Sequence, residues 1–305
     1  MEKTKIIVIG SSNTDMVVKS DRIPSSGETV LGGEFMMTAG GKGANQAVAV
    51  VKMNGDLTFV AKVGKDIFGE KAIQNYAKSG INTDYIFRDD DTPSGIALIM
   101  VDKCAENCIS VASGANNMLS RRDIDSVRNI IEHAAILLMQ LEIPIDVIEY
   151  AVDIAYRAGV KIVLNPAPAN YVDSNTLKKL YLITPNKTEA QIISGIQITN
   201  IDSAKKAAEV LADKGVNNVI ITLGTEGSLI LTDNREFHYV KSRKVDAIDT
   251  TAAGDVYNGA LCVALSEGKT LVEAAKFATL ASSISVTRMG AQDSIPTRSE
   301  VDILI

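Results

Sequence analysis

Cysteine and histidine are both scarce in this chain of 305 residues. Cys104, Cys108 and Cys262 form an odd, sparse set, which argues against a disulfide framework and predicts free thiols in a reducing compartment. Cys104 and Cys108 are four residues apart, but neither His133 nor His238 is close to them in sequence, so we do not expect a zinc site. The two histidines offer no catalytic triad or metal set, and we expect both to be structural.

Surplus positive charge and long apolar runs are missing as well. The chain has 31 Lys and Arg against 37 Asp and Glu, a net charge of -6, which argues against non-specific binding of nucleic acid. No apolar run approaches the ~20 residues that cross a bilayer, and no signal-peptide pattern precedes the first strand. We therefore expect a cytoplasmic protein with neither nucleic-acid nor membrane partners.

Linkers, internal repeats and low-complexity tracts are also absent, so we expect one α/β domain over residues 1–305. Short apolar runs alternate with helical patterns that end at glycines, which is typical of a parallel sheet covered by helices on both faces. Such a three-layer fold binds ligands at the carboxyl ends of its strands. We predict strands at 6–9, 135–141, 161–164, 182–183 and 219–223, and helices at 70–78, 145–158, 188–195 and 203–214.

Two segments, 15–37 and 94–112, interrupt this alternation. The first is β-rich and contains several glycines. The second has two β-like runs, GIALIMV and CISVA, joined by a polar turn. We expect their strands to form a small second sheet inserted into the α/β unit.

The segment DTTAAGD, residues 249–255, lies directly before a helical pattern. Its two alanines and glycine allow the backbone to approach a ligand closely, and the N-terminus of the helix suits an anion. Asp255 at the start of that helix would be a carboxylate beside an anion site, as the base of a kinase requires. The alternative is an ordinary helix cap, for which Asp is also favoured.

A second glycine cluster, TAGGKGANQAVAV at 38–50, predicts a turn that opens a helix and directs Lys42 and Asn45 into a cleft. It does not match the dinucleotide-binding fingerprint, because Gln46 stands where the third glycine belongs. A P-loop is also absent, since the sequence GKT at 268–270 lacks the upstream glycine. The alternative is a plain helix-entry turn.

Polar residues after two strands are candidates for binding hydroxyl groups. Asn13 and Asp15 are two residues apart, so in an extended chain their side chains point the same way. An amide and a carboxylate suit sugar hydroxyls, which both donate and accept hydrogen bonds. Glu142 ends an apolar strand, where a buried acid needs a partner. The alternatives are an Asx turn at Asn13 and a solvated strand end at Glu142.

Two further segments follow strands in the second half of the chain. Asn186 and Glu189 stand at a helix start, where they are candidates for contact with phosphate oxygens and hydrated Mg²⁺. The alternative is a capping box. The segment ITLGTEG, residues 221–227, is a strand followed by a glycine turn that suits a nucleotide, or simply a tight turn.

These segments together resemble the ribokinase-like (PfkB) family of carbohydrate kinases over nearly the whole chain. GGKGANQA combined with DTTAAGD is specific to that family. The matching segments, in order, are GSSNTD, PSSGETV, GGKGANQA, VGKDIFGE, TPSGIALI, LMQLEIP, LNPAPA, ITPNKTEA, ITLGTEG, DTTAAGD and TRMGAQDSIP. Thr251 and Thr279 depart from the residues common in the family.

The resemblance implies transfer of phosphate from ATP to a sugar hydroxyl, with Mg²⁺ and a monovalent cation, usually K⁺. Within the family the motifs favour the 5-hydroxyl of D-ribose. The alternatives are another sugar or nucleoside, such as deoxyribose or fructose, and a non-catalytic sugar sensor. The small sheet would be a lid over the sugar, and lids commonly pair to make a homodimer.

The resemblance also assigns roles to matching residues. The catalytic set would be Asp255 as base with the N–H groups of Ala252, Ala253 and Gly254 as an anion hole. The sugar would be held by Asn13, Asp15, Gly41, Lys42, Gly43, Asn45, Glu142 and Asp255. ATP would be lined by Asn186, Glu189, Thr222, Gly224, Thr225, Gly227, Gly254 and Thr279. The cation would lie at Asp249, Thr251, Ser285, Arg288, Gly290 and Ser294, with Arg288 contributing only its carbonyl.

Overall fold

Thirteen strands form two separate sheets in the computed structural model, which describes residues 5–104 and 106–305. Residues 1–4 of the predicted domain and Ala105 of the predicted lid segment lie outside the described residues. The strands are β1 (Lys5–Ile9), β2 (Asn13–Lys19), β3 (Glu34–Gly40), β4 (Asp56–Gly64), β5 (Ile86–Asp89), β6 (Gly95–Val101), β7 (Asn107–Ala112), β8 (Ile136–Met139), β9 (Lys161–Leu164), β10 (Leu182–Ile183), β11 (Asn218–Thr222), β12 (Ser228–Leu231) and β13 (Phe237–Val240).

The helices pack on the larger sheet through amphipathic faces. In the fifth helix, for example, Val147, Ile148, Ala151 and Val152 are buried at the spacing of one helical face. The helices are α1 (Lys42–Lys52), α2 (Ile67–Lys78), α3 (Arg121–Ser126), α4 (Arg128–Glu132), α5 (Ile145–Arg157), α6 (Ser174–Leu177), α7 (Lys187–Ser194), α8 (Ile201–Asp213), α9 (Ala253–Ser266), α10 (Leu271–Ser285) and α11 (Arg298–Asp302).

The larger sheet has the order β13-β12-β11-β10-β9-β8-β1-β4-β5, and only β12 pairs antiparallel with its neighbours. Alternate residues of β1, an inner strand of this sheet, enter different cores. Ile6 and Val8 belong to the core that also contains residues of α1, α9 and α10, while Ile7 and Ile9 belong to the core that also contains residues of α5 and α8. This alternation is the pleat of a strand that is covered on both faces. The predicted three-layer α/β fold is therefore confirmed.

The smaller sheet has the order β3-β2-β6-β7. Its strand β2 follows β1 after only three residues, so the small sheet begins at the carboxyl edge of the large one. In its register Asp15 lies beside Thr38 and Ala97, and Val17 lies beside Met36 and Ile99. The short connection places the face that carries Asp15 close to the ligand-binding edge of the fold.

Element boundaries differ from the predicted ones where capping decides them. The helix predicted at 70–78 begins at Ile67, because the Asp66 side chain accepts hydrogen bonds from the N–H groups of Phe68 and Gly69. The strand predicted at 135–141 is limited to Ile136–Met139.

Among the described residues, the helices are too short or too polar to span a membrane.

Candidate active site

Asp255 lies at the carboxyl edge of the large sheet, where the first turns of α1 and α9 meet. It is the third residue of α9, and only 6% of its surface is exposed. Its carboxylate accepts hydrogen bonds from Asn45 Nδ2 at 3.0 Å and Gln46 Nε2 at 2.9 Å. The alternative of an ordinary cap is wrong, because the N-cap of α9 is Ala252 and no side chain caps this helix.

Charges around Asp255 oppose the effect of its burial. Burial raises the pKa of the Asp255 carboxyl, while the Lys42 ammonium and the amides of Gln46 and Asn45 lower it. Burial is the largest single influence and would lower the pKa of Lys42, but the four carboxylates of Asp255, Glu142, Glu189 and Asp15 together outweigh it and raise that pKa. Lys42 therefore remains a cation and supplies positive potential to the site.

Glu142 is fixed at the same edge by donors from two elements. Its Oε2 accepts from the Ser11 hydroxyl at 2.5 Å and from the Lys42 backbone N–H at 3.0 Å. Ser11 follows β1, and Lys42 is the first residue of α1. Glu142 is partly buried, so the structure brings it together with the Lys42 end of α1 and does not leave it as a solvated strand end.

Asn13 and Asp15 both lie in β2 and point to one face, so the Asx-turn alternative is wrong. Asn13 Oδ1 accepts from Asn116 Nδ2 at 2.7 Å. Asp15 lies so close to Gly40 that any side chain there would collide with its carboxylate. Burial, followed by the charges of Glu142 and Asp255, raises the pKa of Asp15 to about 6.

Two glycines allow α1 to start against the end of β1. Gly41 has φ of 89° and precedes the helix, in the left-handed region that favours glycine. A Cβ on Gly43 would stand 2.5 Å from the backbone of Gly10 and Ser11. This close approach places Lys42 and Asn45 at the site. A cavity of about 340 Å³ borders Asn13 and Glu142 but not the other predicted sugar residues.

The turn before α9 contains a residue in the left-handed conformation. Ala252 has φ of 60°, an uncommon conformation for a residue with a side chain. The first intrahelical bond runs from the Val256 N–H to the Ala252 carbonyl at 2.9 Å, so the N–H groups before it have no partner within the helix. Ala253 N–H donates to the Thr250 carbonyl at 3.2 Å. Among the described residues outside its own turn, no atom lies within 4 Å of the position that a Cβ on Gly254 would occupy.

A larger cavity of about 770 Å³ adjoins this turn. Its lining includes seven residues predicted to line ATP or the phosphoryl group: Thr222, Gly224, Thr225, Gly227, Ala253, Gly254 and Thr279. It also includes Arg243, Lys244, Tyr257 and Ser282, which sequence reasoning missed. Arg243 and Lys244 lie in the polar segment between β13 and α9. Two adjacent basic residues in that segment were the sequence signal that could have identified them as candidates for contact with an anionic ligand.

Asn186 and Glu189 form a capping box at the start of α7. Asn186 Oδ1 accepts from the Glu189 N–H at 2.9 Å, and the Glu189 carboxylate accepts from the N–H and Nδ2 of Asn186. Neither residue lines the larger cavity. The capping alternative therefore describes their observed contacts. Glu189 is nevertheless 8% exposed, and its charge contributes to the raised pKa of Lys42.

Asp249 contacts two of the other predicted cation residues, Thr251 and Gly290. Its Oδ1 accepts from the Thr251 N–H and its Oδ2 from the Gly290 N–H, both at 2.9 Å. Although partial burial would raise the pKa of Asp249, these hydrogen bonds lower it. The Arg288 side chain turns away to Glu300, at 2.5 Å, which leaves only its carbonyl for a ligand.

The remaining two members of that set use their hydroxyls locally. Ser285 donates to the Ser282 carbonyl and Ser294 to the Ala291 carbonyl. The part of the chain that the structure describes contains no cluster of three His, Cys, Asp or Glu side chains suited to a metal. The predicted set holds one carboxylate, Asp249, and neither a thiolate nor an imidazole, so its donors would all be oxygens, which suit a hard cation better than a transition metal.

The main omission of the sequence prediction is a buried amide network behind Asp255. Gln46 Nε2 donates to Asn165 Oδ1 at 3.0 Å as well as to Asp255, and Gln46 Oε1 accepts from Gln140 Nε2 at 2.5 Å. Asn165 in turn donates to the Thr184 carbonyl. The available signal was Gln140 itself, a lone amide within the apolar run AILLMQL.

Comparisons with a family profile and with known proteins agree on one family for this chain. The profile described as "pfkB family carbohydrate kinase" matches residues 3–298. A protein of Haemophilus influenzae named ribokinase is 43% identical over 300 residues, which cover 98% of this chain and 97% of that protein. A Salmonella typhi protein named deoxyribokinase is 37% identical over 96% of this chain and 95% of its own length.

Solved structures give the same result. The structure of Arabidopsis thaliana ribokinase complexed with ribose and ATP superposes with a TM-score of 0.91 at 30% identity. The match covers 99% of this chain and 98% of that one.

Asp15→Asn should stabilise the fold at neutral pH. An acid whose pKa is raised from 3.8 to about 6 destabilises the folded state progressively as pH rises through that interval. We expect the variant to gain about 1–3 kcal/mol of unfolding free energy at pH 7.5 and much less at pH 4.5. Denaturant titrations at the two pH values measure this. The control is Glu34→Gln on the same sheet, an exposed residue that should change little at either pH. An equal gain for Asp15→Asn at both pH values would contradict the assignment.

Proposed function

We propose that this chain, which belongs to the pfkB family of carbohydrate kinases, transfers the γ-phosphoryl group of ATP to the 5-hydroxyl of D-ribose. One observation carries the proposal. The buried carboxylate of Asp255 stands between the first turn of α9, which borders the cavity of about 770 Å³, and the polar set of Asn13, Asp15 and Glu142. The Haemophilus relative named ribokinase and the Arabidopsis structure with ribose and ATP support the choice of substrates.

In the proposed reaction Asp255 removes the proton of the sugar hydroxyl as the oxygen attacks the γ-phosphorus. A bond forms between the sugar oxygen and phosphorus, the bond to the β-phosphate oxygen breaks, and the proton remains on Asp255. The direction of its pKa shift suits a base, because a raised pKa increases the affinity of the carboxylate for the proton. Lys42 balances part of the negative charge.

The N–H groups of Ala252, Ala253 and Gly254 would receive the oxygens of the transferring group. Gly254 lines the larger cavity, which supports this, whereas the Ala253 N–H would first have to leave the Thr250 carbonyl. Preorganised donors of this kind act where charge develops and typically contribute ~3 kcal/mol each. The left-handed turn at Ala252 fixes their direction.

The sugar would contact the side chains of Asn13, Asp15, Lys42, Asn45 and Glu142 and the backbone of Gly41 and Gly43. ATP would occupy the larger cavity, along Thr222, Gly224, Thr225, Gly227 and Thr279. Mg²⁺ bound to the phosphates would neutralise their charge. Asn186 and Glu189 would reach it only through water, because the capping box already uses their side-chain oxygens.

A second candidate is 2-deoxyribose, favoured by the Salmonella relative named deoxyribokinase. The two sugars differ by one hydroxyl, and a site built to hydrogen-bond that hydroxyl rejects the analogue strongly. A non-catalytic sugar sensor would retain the sugar residues but would not need Asp255 or the turn before α9. Sugar-dependent turnover of ATP would exclude the sensor, because a sensor binds the sugar without transferring phosphate.

Asp255→Asn should remove most of the activity, because the amide cannot accept the proton. We expect kcat for ribose-dependent ADP formation to fall roughly 10²- to 10⁴-fold. The assay includes D-ribose, 2-deoxyribose and fructose, so that the preferred sugar is measured with the same enzyme. Asp84→Asn, a change on an exposed loop, is the control and should keep the wild-type rate. Near-normal turnover by Asp255→Asn would show that another group is the base.

We propose a K⁺ site formed by Asp249 with carbonyls or hydroxyls of Thr251, Ser285, Arg288, Gly290 and Ser294. A bound cation would add positive potential beneath the turn before α9 and fix the direction of its N–H groups. The bonds from Asp249 to Thr251 and Gly290 support this, since they join the turn to the loop after α10.

Asp249→Asn should weaken the response to K⁺, because the site loses its one negative charge. We expect the K⁺ concentration for half-maximal activity to rise about 10-fold or more, and the K⁺-dependent rise in melting temperature to shrink. Titration of KCl at constant ionic strength measures both. Asp202→Asn, at an exposed side chain, should leave the K⁺ response unchanged. A wild-type response in Asp249→Asn would place the cation elsewhere or nowhere.

We also propose that the small sheet is a lid within a single unit and that two lids pair in a homodimer. The face that carries Asp15 is otherwise largely apolar, and on it Ile109 and Val111 are 54% and 49% exposed. A second copy would remove this surface from water.

The exposed free thiols of Cys104 and Cys108 support a location in the reducing cytoplasm.

Ile109→Asp should give a monomer, because it places a charge in the middle of the apolar face. Sedimentation velocity at micromolar concentration is expected to show a dimer for the wild type and a monomer for the variant. Ser110→Asp is the matched control, since Ser110 is adjacent but points to the other face, and should remain dimeric. A monomeric wild type would reject the proposal.

A further inference from the structure

Each oxygen of the Asp255 carboxylate receives one amide donor, and both donors come from α1. Oδ2 accepts from Asn45 and Oδ1 from Gln46. An amide side chain has a donating end and an accepting end, and rotation by half a turn exchanges them. The contact made by the other end of each amide therefore decides whether a donor or an acceptor faces Asp255.

The accepting end of Gln46 is fixed by Gln140. Gln140 Nε2 donates to Gln46 Oε1 at 2.5 Å, while Gln46 Nε2 serves both Asp255 Oδ1 at 2.9 Å and Asn165 Oδ1 at 3.0 Å. Rotation of the Gln46 amide would bring its oxygen against two acceptors and its NH₂ against a donor. Gln46 and Gln140 are 0% and 1% exposed, so water is not at hand to compensate.

The accepting end of Asn45 is fixed from another part of the chain. Gln292 Nε2 donates to Asn45 Oδ1 at 3.2 Å, and Asn45 Nδ2 then faces Asp255 Oδ2. Gln292 lies two residues beyond Gly290, whose N–H holds Asp249. The second contact thus runs from the loop after α10 to the carboxylate.

We propose that Gln140 and Gln292 are positioning residues that act through Gln46 and Asn45, respectively, to hold both oxygens of Asp255 for reaction with the sugar hydroxyl. The inference rests on the proposed function, in which Asp255 is the base. With one lone pair of each oxygen occupied by an amide, the carboxylate cannot rotate and a remaining lone pair keeps a constant direction.

A packing role does not account for Gln140. Its Oε1 is buried and has no hydrogen-bond partner among the described residues, which is unfavourable for a polar atom. This oxygen lies against Gly10, where any side chain would collide with it. Methionine has a similar shape and would avoid the unpaired oxygen. The donating end of Gln140 is the feature that methionine lacks, and among the described residues that end donates its hydrogen bond to Gln46.

The test is a mutant cycle of Gln140→Met, Gln46→Met and the double variant, measured as kcat and KM for ribose phosphorylation across pH. We expect each single variant to lower kcat about 10-fold or more, with a smaller change in KM for ribose. The acidic limb of the kcat profile should move to higher pH, because loss of a donor to a carboxylate raises its pKa. Gln140→Met should add nothing in the Gln46→Met background.

Asn218→Leu is the matched control for removal of a buried amide. Asn218 is 3% exposed and bonds to Tyr181 and Asp233 at the start of β11, away from Asp255. We expect it to lower the melting temperature and leave the pH profile unchanged. Gln292→Met tests the second contact, and because Gln292 lies in a partly buried loop, the substitution carries little risk to folding. It should lower kcat several-fold and move the acidic limb of the kcat profile to higher pH.

Wild-type kcat and pH profile in folded Gln140→Met and Gln46→Met would overturn the inference, as would additive effects in the double variant. If those variants fail to fold, an unchanged pH profile in Gln292→Met overturns it. Failure of the proposed function is separate, because it appears as absence of ribose-dependent ADP formation in the wild type.

Discussion

Burial of the Asp255 carboxylate is the constraint on which the arrangement around it depends. A carboxylate removed from water is unstable unless hydrogen bonds and opposite charge surround it. Here two amides and Lys42 provide these, and all three belong to the first turn of α1. The helices must therefore approach closely. Gly259 of α9 permits this, since a Cβ there would stand 2.5 Å from the Cβ of Ala49.

The same constraint separates the two halves of the site. Residues 13–46 and Glu142 lie on the side of the small sheet, whereas residues 222–227 and the segment after β13 line the larger cavity. Asp255 stands where the halves meet. Because parallel strands carry their loops at one edge, segments far apart in sequence meet there without long connections. The short link from β1 to β2 brings the lid to that edge as well.

The sequence was sufficient for elements whose signal is local. Apolar runs ended by glycines predicted the strands and helices of the large sheet, and the spacing of Asn13 and Asp15 predicted that they share a face. It was insufficient where a contact depends on tertiary approach. Nothing local shows that Gln46 faces Gln140 and not solvent, or that Arg243 and Lys244 border a cavity. Conversely, Asn186 and Glu189 have a strong local signal, the capping box, and their observed contacts are those of the cap.

The position of β1 between β4 and β8 has a consequence for synthesis on the ribosome. This strand leaves the ribosome before its neighbours β4 and β8, which follow only after about fifty and about one hundred and thirty further residues. The nascent chain must keep an apolar strand unpaired on one side until β8 arrives. Asp255 comes later still, in the last fifth of the chain. The polar residues on the small-sheet side are thus synthesised before the Asp255 carboxylate that they surround. Until Asp255 is made, the charges of Lys42 and Glu142 must be accommodated without it.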